Sequence, residues 1–133
     1  MLSNYIANFV SIVNYSIITR RNYCRLVYTK IGARIVSLLF NKGYISFYRF
    51  INVMNCNYIY ISFKYQLMYN PLFQIKLISK SGNNIYWSIK KLIQEHIAAD
   101  TITDYVLSTS KGILFSTTAL EYGIGGKVLF KIN

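Results

Sequence analysis

LSTSKGILFSTTALEYGIGGKVLFKI, residues 107–132, is the stretch from which the organisation of the chain can be read. An apolar run, TDYVL, enters three consecutive hydroxyl residues, Ser108, Thr109 and Ser110. Lys111 and Gly112 follow, and Ile113 to Phe115 form a second apolar run. Two apolar runs about a short polar tip predict a strand, a tight turn and a returning strand. Hydroxyls at the tip can hydrogen-bond phosphate oxygens and ribose 2′-hydroxyls, and Lys111 adds a positive charge. Gly112 has no Cβ, so the backbone there can turn sharply or lie close to another group. Thr118 and Glu121 stand at the spacing of a capping box for a short helix. Gly123-Ile124-Gly125-Gly126 comes after that helix, so it reads as a helix stop ahead of a last strand, not as a nucleotide-binding loop.

Upstream of this stretch, Phe73, Ile75 and Leu77 alternate with Gln74 and Lys76 as a strand. Ser79 to Asn84 is a turn by composition, Ile85 to Ser88 a short strand, and Ile89, Leu92, Ile93 and Ile97 mark the inner stripe of a helix. Earlier, Ile6, Phe9, Val10, Val13 and Ile17 recur at helical spacing. Cys24 to Tyr28 is a strand. Thr29 caps a second helix, which turns Ile31, Ile35, Leu38 and Leu39 inward and Arg34, Ser37 and Asn41 outward, and which ends at Gly43. Tyr44 to Val53 and Tyr58 to Tyr65 read as strands joined through Asn55-Cys56-Asn57. The pattern breaks near Gln66 to Pro71. The expected fold is therefore α+β in two small lobes. Residues 1–66 form a helix-strand-helix-strand-strand lobe, and residues 67–133 a mostly antiparallel β lobe with short helices.

Fifteen Lys and Arg stand against four acids, Glu95, Asp100, Asp104 and Glu121, for a net charge of +11. Such a chain repels itself and attracts polyanions. Nucleic acid is the first partner this predicts, and an anionic membrane surface the second. The stretch from Met1 to Thr19 has no charged side chain, but its Asn and Ser residues oppose a membrane span. Its cations follow the apolar run, which is the wrong order for a signal peptide. Neither a targeting segment nor a membrane span is expected, and a basic membrane-associated protein anchored by residues 1–19 is the alternative. Cys24 and Cys56 are isolated, His96 is the one histidine, and the four acids form no workable catalytic pair, so no enzyme, metal site or cofactor is predicted. His96 lies near the apolar stripe of its helix and reads as a packed or edge histidine.

The stretch at 107–132 resembles the C-terminal signature of the bacterial-type small-subunit ribosomal protein S-eight family. That family has STSKG, a short helix, a G-x-GG turn and a final strand, matched here by Ser108 to Gly112, Thr117 to Tyr122, Gly123 to Gly126 and Lys127 to Ile132. SKSGNNIY at Ser79 to Tyr86 is similar to the family's S-[KR]-P-G-x-R-x-Y turn, and Phe63-Lys64-Tyr65 to its LKY strand end. Thr29-Lys30 stands where the family has S-K ahead of its second helix. The departures are Ser81 for the family's Pro, Asn84 for its Arg, Lys127 for the acid after the glycine turn, and a first helix without charge.

The resemblance implies a structural protein of the small ribosomal subunit. It would bind a stem in the central domain of the small-subunit rRNA, support assembly of that domain and touch neighbouring ribosomal proteins. RNA duplexes hide their base edges in a deep groove, so recognition is expected through backbone shape and 2′-hydroxyls. Ser108, Thr109 and Ser110 would make hydrogen bonds. Lys111, Lys127 and Lys30, beside Thr29, would neutralise phosphates. Gly112, Gly125 and Gly126 would allow close approach, and Tyr86 would stack on an unpaired base. The abundance of Tyr, Asn, Ile, Phe and Lys, all with AT-rich codons, predicts an AT-biased gene. The expected location is the mitochondrial ribosome, with the protein made inside the organelle. The cytoplasm of an AT-rich bacterium is the alternative.

Overall fold

The computed structural model describes residues 2–63, 74–98 and 103–132. The elements in order are α1 (Leu2–Ile18), β1 (Tyr23–Val27), α2 (Lys30–Lys42), β2 (Ile45–Val53), β3 (Cys56–Phe63), β4 (Ile75–Leu77), β5 (Tyr86–Trp87), α3 (Ile89–Ala98), β6 (Asp104–Thr109), β7 (Gly112–Phe115), α4 (Ser116–Tyr122) and β8 (Gly126–Ile132). The fold is α+β, with antiparallel sheets throughout these pairings. The chain divides into two compact units, residues 8–74 and residues 75–133, the latter joined by residues 1–7. The break expected near Gln66 to Pro71, the strand position Phe73 and the Lys64-Tyr65 pair lie outside the described residues.

In the N-terminal unit the strand order is β1-β3-β2. β1 alternates between exposed and buried side chains, sending Cys24 and Leu26 inward, and β3 sends Ile59, Ile61 and Phe63 inward. That alternation is the period-two signature of a half-buried strand. α1 contributes Phe9, Val10 and Val13 to this core, and α2 contributes Ile35, Val36 and Leu39. Thr29 caps α2 as predicted: its Oγ1 accepts from the Gly32 N–H at 2.9 Å. Gly43 ends the helix at φ 87, in the left-handed region, with its N–H turned back to the carbonyls of Leu39 and Phe40.

The inward face of α2 is rotated from the one its sequence predicts. Ile31 and Leu38 are half-buried, and Gly32 and Val36 take the central positions. The β2–β3 turn also sits earlier than predicted. Met54 and Asn55 take positive φ values of 50 and 64, while Cys56 and Asn57 already pair with Val53 and Asn52. Two successive left-handed residues make the turn whose twist matches an antiparallel pair, so the strands extend to the tip.

In the C-terminal unit β8 is the central strand. It pairs with β6 on one side and with β4 and β5 on the other, and β7 continues the sheet beyond β6. One face packs Leu107, Tyr105 and Val128 against Leu92 of α3 and Ala119 of α4, with Trp87, Leu120 and Ile124 at the margin. Trp87 meets Tyr105 edge-on at 5.0 Å between ring centroids. Burial pushes the Tyr105 phenol above its ordinary value, and the Glu95 carboxylate adds to the effect. Ser79 anchors the turn before β5: its buried Oγ donates to the Val128 carbonyl and accepts from the Ile85 N–H at 3.1 Å.

α3 departs from its predicted stripe. Only Leu92 is buried, whereas Ile89, Ile93 and Ile97 are exposed at 40%, 44% and 78%. His96 is exposed as well. Helical spacing defines a possible inner face, but α3 seats a single residue in the core cluster, so most of the stripe faces outward.

Candidate nucleic-acid interface

The polar tip is a two-residue hairpin. Thr109 pairs with Gly112 across it, leaving Ser110 and Lys111 as the exposed turn. The Thr109 side chain closes the turn from within. Its Oγ1 donates to the Gly112 carbonyl at 2.8 Å and accepts from the Lys111 N–H at 3.2 Å. Gly112 has φ 102, a backbone region that a residue with a Cβ rarely adopts. The Lys111 ammonium rests 4.4 Å from the centre of the Tyr122 ring at the end of α4. That is a cation–π distance, so the turn's one charge is oriented by an aromatic that sequence reasoning had not singled out.

The sheet register gathers most of the other predicted residues beside this turn. Lys127 on β8 faces Ser108 on β6 and, on its other side, Tyr86 on β5. Residues directly opposite in an antiparallel pair have Cβ atoms about 4.5–5.5 Å apart and share a face. Tyr86, Lys127 and Ser108 therefore form one row, with Ile113 of β7 completing it. Tyr86 is exposed at 69%, and Ser108 and Lys127 are half-buried. A hydroxyl, an ammonium and a flat ring in adjacent positions can engage a ribose, a phosphate and a base respectively.

Gly125 and Gly126 belong to the same corner. A Cβ on Gly125 would overlap the Trp87 carbonyl, and one on Gly126 would overlap the Ser108 carbonyl. The close approach these glycines permit is to the protein's own backbone. They let β5 and β6 sit tightly against β8.

One local expectation is corrected. α4 begins at Ser116 with Phe115 as its N-cap and no side-chain cap bond, so Thr118 is a helical residue and the capping box with Glu121 does not form. The apolar run through Phe115 leads directly into the helix, and Ser116, at its first position, is buried with no partner for its Oγ among the described residues. Thr29 and Lys30 lie in the N-terminal unit at the start of α2, where the Thr29 hydroxyl is committed to the cap and Lys30 is exposed.

Among the described residues no group of three or more His, Cys, Asp and Glu side chains could hold a metal ion. No helix among them is long and apolar enough to cross a membrane. The apolar side chains Ile6, Phe9, Val10 and Val13 of α1 are buried in the protein.

The family model described as ribosomal protein S8 matches residues 4–133. The chain is 32% identical to the small ribosomal subunit protein uS8 of Nitratiruptor sp. over 99% of both chains. It is 30% identical to uS8 of Chlorobium limicola over 98% of both. It is also 32% identical to the protein uS8c of Euglena longa, over 96% of this chain and 95% of that one.

Proposed function

Because the chain belongs to the ribosomal protein S8 family, we propose that it is a non-catalytic constituent of a small ribosomal subunit that binds a stem of the small-subunit rRNA's central domain. The corner formed by the 108–112 hairpin, Lys127 and Tyr86 makes the contact. The observation that carries this reading is the row Tyr86–Lys127–Ser108, beside a turn that presents Ser110 and Lys111. The half-buried hydroxyl and ammonium of that row and the exposed Ser110 and Lys111 of the turn, with no carboxylate in the row, suit a duplex recognised by its backbone and 2′-hydroxyls. Tyr86 serves an unpaired base at the stem's edge. Thr29 and Lys30 add a further backbone contact from the N-terminal unit. The two recognition surfaces divide as residues 1–66 and 67–133, the second being the principal rRNA-binding lobe.

The stated contact is tested by titrating the purified chain with a central-domain stem transcript. Ser110→Ala is expected to lower affinity more than Lys90→Ala. The lost hydrogen bond should cost roughly 1 kcal/mol, about fivefold. Equal losses would remove the hairpin from the interface. The AT-biased composition and the similarity to an organellar relative favour an organellar ribosome, and we place the protein in the mitochondrial one. Co-sedimentation with mitochondrial small subunits at high magnesium checks that placement, and recovery with plastid or cytoplasmic subunits alone would refute it.

A further inference from the structure

We propose that the outward face of the β1–β3–β2 sheet is a further RNA-binding surface, one that stacks unpaired nucleotides. The inference goes beyond the hairpin interface and does not depend on it. Strand register builds the face. Tyr23 and Phe47 flank Ser62, Arg25 and Arg49 flank Tyr60, and Val27 and Ile51 flank Tyr58. The alternate residues Cys24, Leu26, Ile59 and Ile61 are buried, so these three rows point the other way. Tyr23 is exposed at 63% and Phe47 at 57%, and both arginines are exposed.

An outward sheet face is usually polar, and this one alternates rings with guanidiniums. The rings are ordered. The Arg25 guanidinium lies 4.7 Å from the Tyr58 ring centre, and Tyr23 and Tyr60 are 6.3 Å apart at 32°. Arg25 and Arg49 stand two strand spacings apart, roughly 10 Å, with Tyr60 between them. A base on Tyr60 would have a cation on each side for its flanking phosphates. A cavity of about 560 Å³ extends the face toward α1, lined by Tyr15, Arg21, Tyr23, Arg25 and Tyr60 among others. The Arg21 guanidinium lies 5.3 Å from the Tyr15 ring centre.

Charge selects the occupant. Residues 8–74 contain eight Lys and Arg and no Asp or Glu. An all-cationic unit fits a polyanion, and aromatic rings at the surface fit one that offers π-faces. Unpaired RNA offers both, whereas a duplex hides its base faces. A lipid headgroup offers charge without a stacking partner.

The experiment uses the full chain and a fluorescein-labelled uridine decamer, read by anisotropy, with far-UV circular dichroism confirming that each variant is folded. Tyr23→Ala should weaken decamer binding on the order of tenfold, the loss expected for one stacked base. Tyr23→Phe, which keeps the ring, should bind as the parent does. Arg49→Gln should weaken binding and flatten its salt dependence. Ser110→Ala, which alters the hairpin, should leave decamer affinity unchanged. The proposal is overturned if the parent does not bind the decamer, or if Tyr23→Ala matches the parent. It is equally overturned if Ser110→Ala loses as much as Tyr23→Ala, because the hairpin would then be the single-strand site. Displacement of the decamer by phosphatidylserine vesicles, undiminished in Tyr23→Ala, would assign the face to a membrane surface instead.

Discussion

Gly126 on β8 lies so close to Ser108 on β6 that a Cβ at the glycine would overlap the serine carbonyl. The same contact sets the position of Lys127, because the next pair along the ladder is Ser108 with Lys127. Packing and recognition therefore meet at one point. The glycine that lets two strands approach also aligns the hydroxyl and the ammonium of the proposed RNA contact.

Gly126→Ala should accordingly damage both stability and binding. Forcing an extra carbon into a closed contact costs about 1–3 kcal/mol, and the neighbour here is backbone, which yields little. A chemical-denaturation midpoint should fall by a matching amount, and stem affinity should fall further than it does in Ser110→Ala. A parent-like midpoint would mean that the strands separate easily and that the register is softer than described.

Thr109 and Lys111 should separate turn geometry from charge. Thr109→Val removes the bonds from Oγ1 to the Gly112 carbonyl and from the Lys111 N–H to Oγ1. We expect about 1 kcal/mol of lost stability and weaker stem binding with an unchanged salt slope. Lys111→Gln should leave stability nearly unaltered and reduce the slope of log affinity against log salt by about one. Titrations at several salt concentrations distinguish the two patterns.

Thr29→Ala should lower thermal stability through α2 alone. The lost acceptor for the Gly32 N–H is an N-cap, worth roughly 1 kcal/mol. Thr29→Ser should restore it, since serine supplies the same oxygen. If Thr29→Ala instead weakened RNA binding with no change in melting temperature, the hydroxyl's main partner would be RNA.

The two cysteines should react at different rates. Burial pushes the Cys24 thiol from its ordinary value near 9 to about 11, while a hydrogen bond with Ser16 pulls slightly the other way. Cys56 is exposed at the start of β3. Iodoacetamide at pH 8 should label Cys56 in the folded protein and both thiols in denaturant. The sign of the pH effect follows. Above pH 9 the unfolded chain loses the Cys24 proton while the folded chain keeps it, so this group lowers stability as pH rises from about 9 to 11. Denaturation midpoints for the parent and Cys24→Ala across that interval should converge as pH rises.

Much of the N-terminal unit could be read from periodicity. Of the predicted stripe, Ile6, Phe9, Val10 and Val13 are buried and Ile17 is half-buried, and Thr29 and Gly43 bound α2 as their chemistry requires. These features depend on neighbours in sequence, where spacing and capping act directly. α3 was misread because its pattern states which residues could face a core without stating how much core is there. Thr118 was misread because the apolar strand β7 runs into α4 without a loop, which leaves no place for a side-chain cap.

The order of residues alone determined the charge surplus, the α+β class, the hydroxyl-and-lysine hairpin and the family, since each is carried by composition or by short-range spacing. Tertiary structure decided which strands are neighbours. It set Tyr86, Lys127 and Ser108 in one row, laid Lys111 on Tyr122, and placed Arg25 and Arg49 on either side of Tyr60. Those juxtapositions join residues far apart in sequence. They exist because hydrophobic burial and backbone pairing choose a single register, and shifting a strand by one residue would turn its side chains among these to the opposite face.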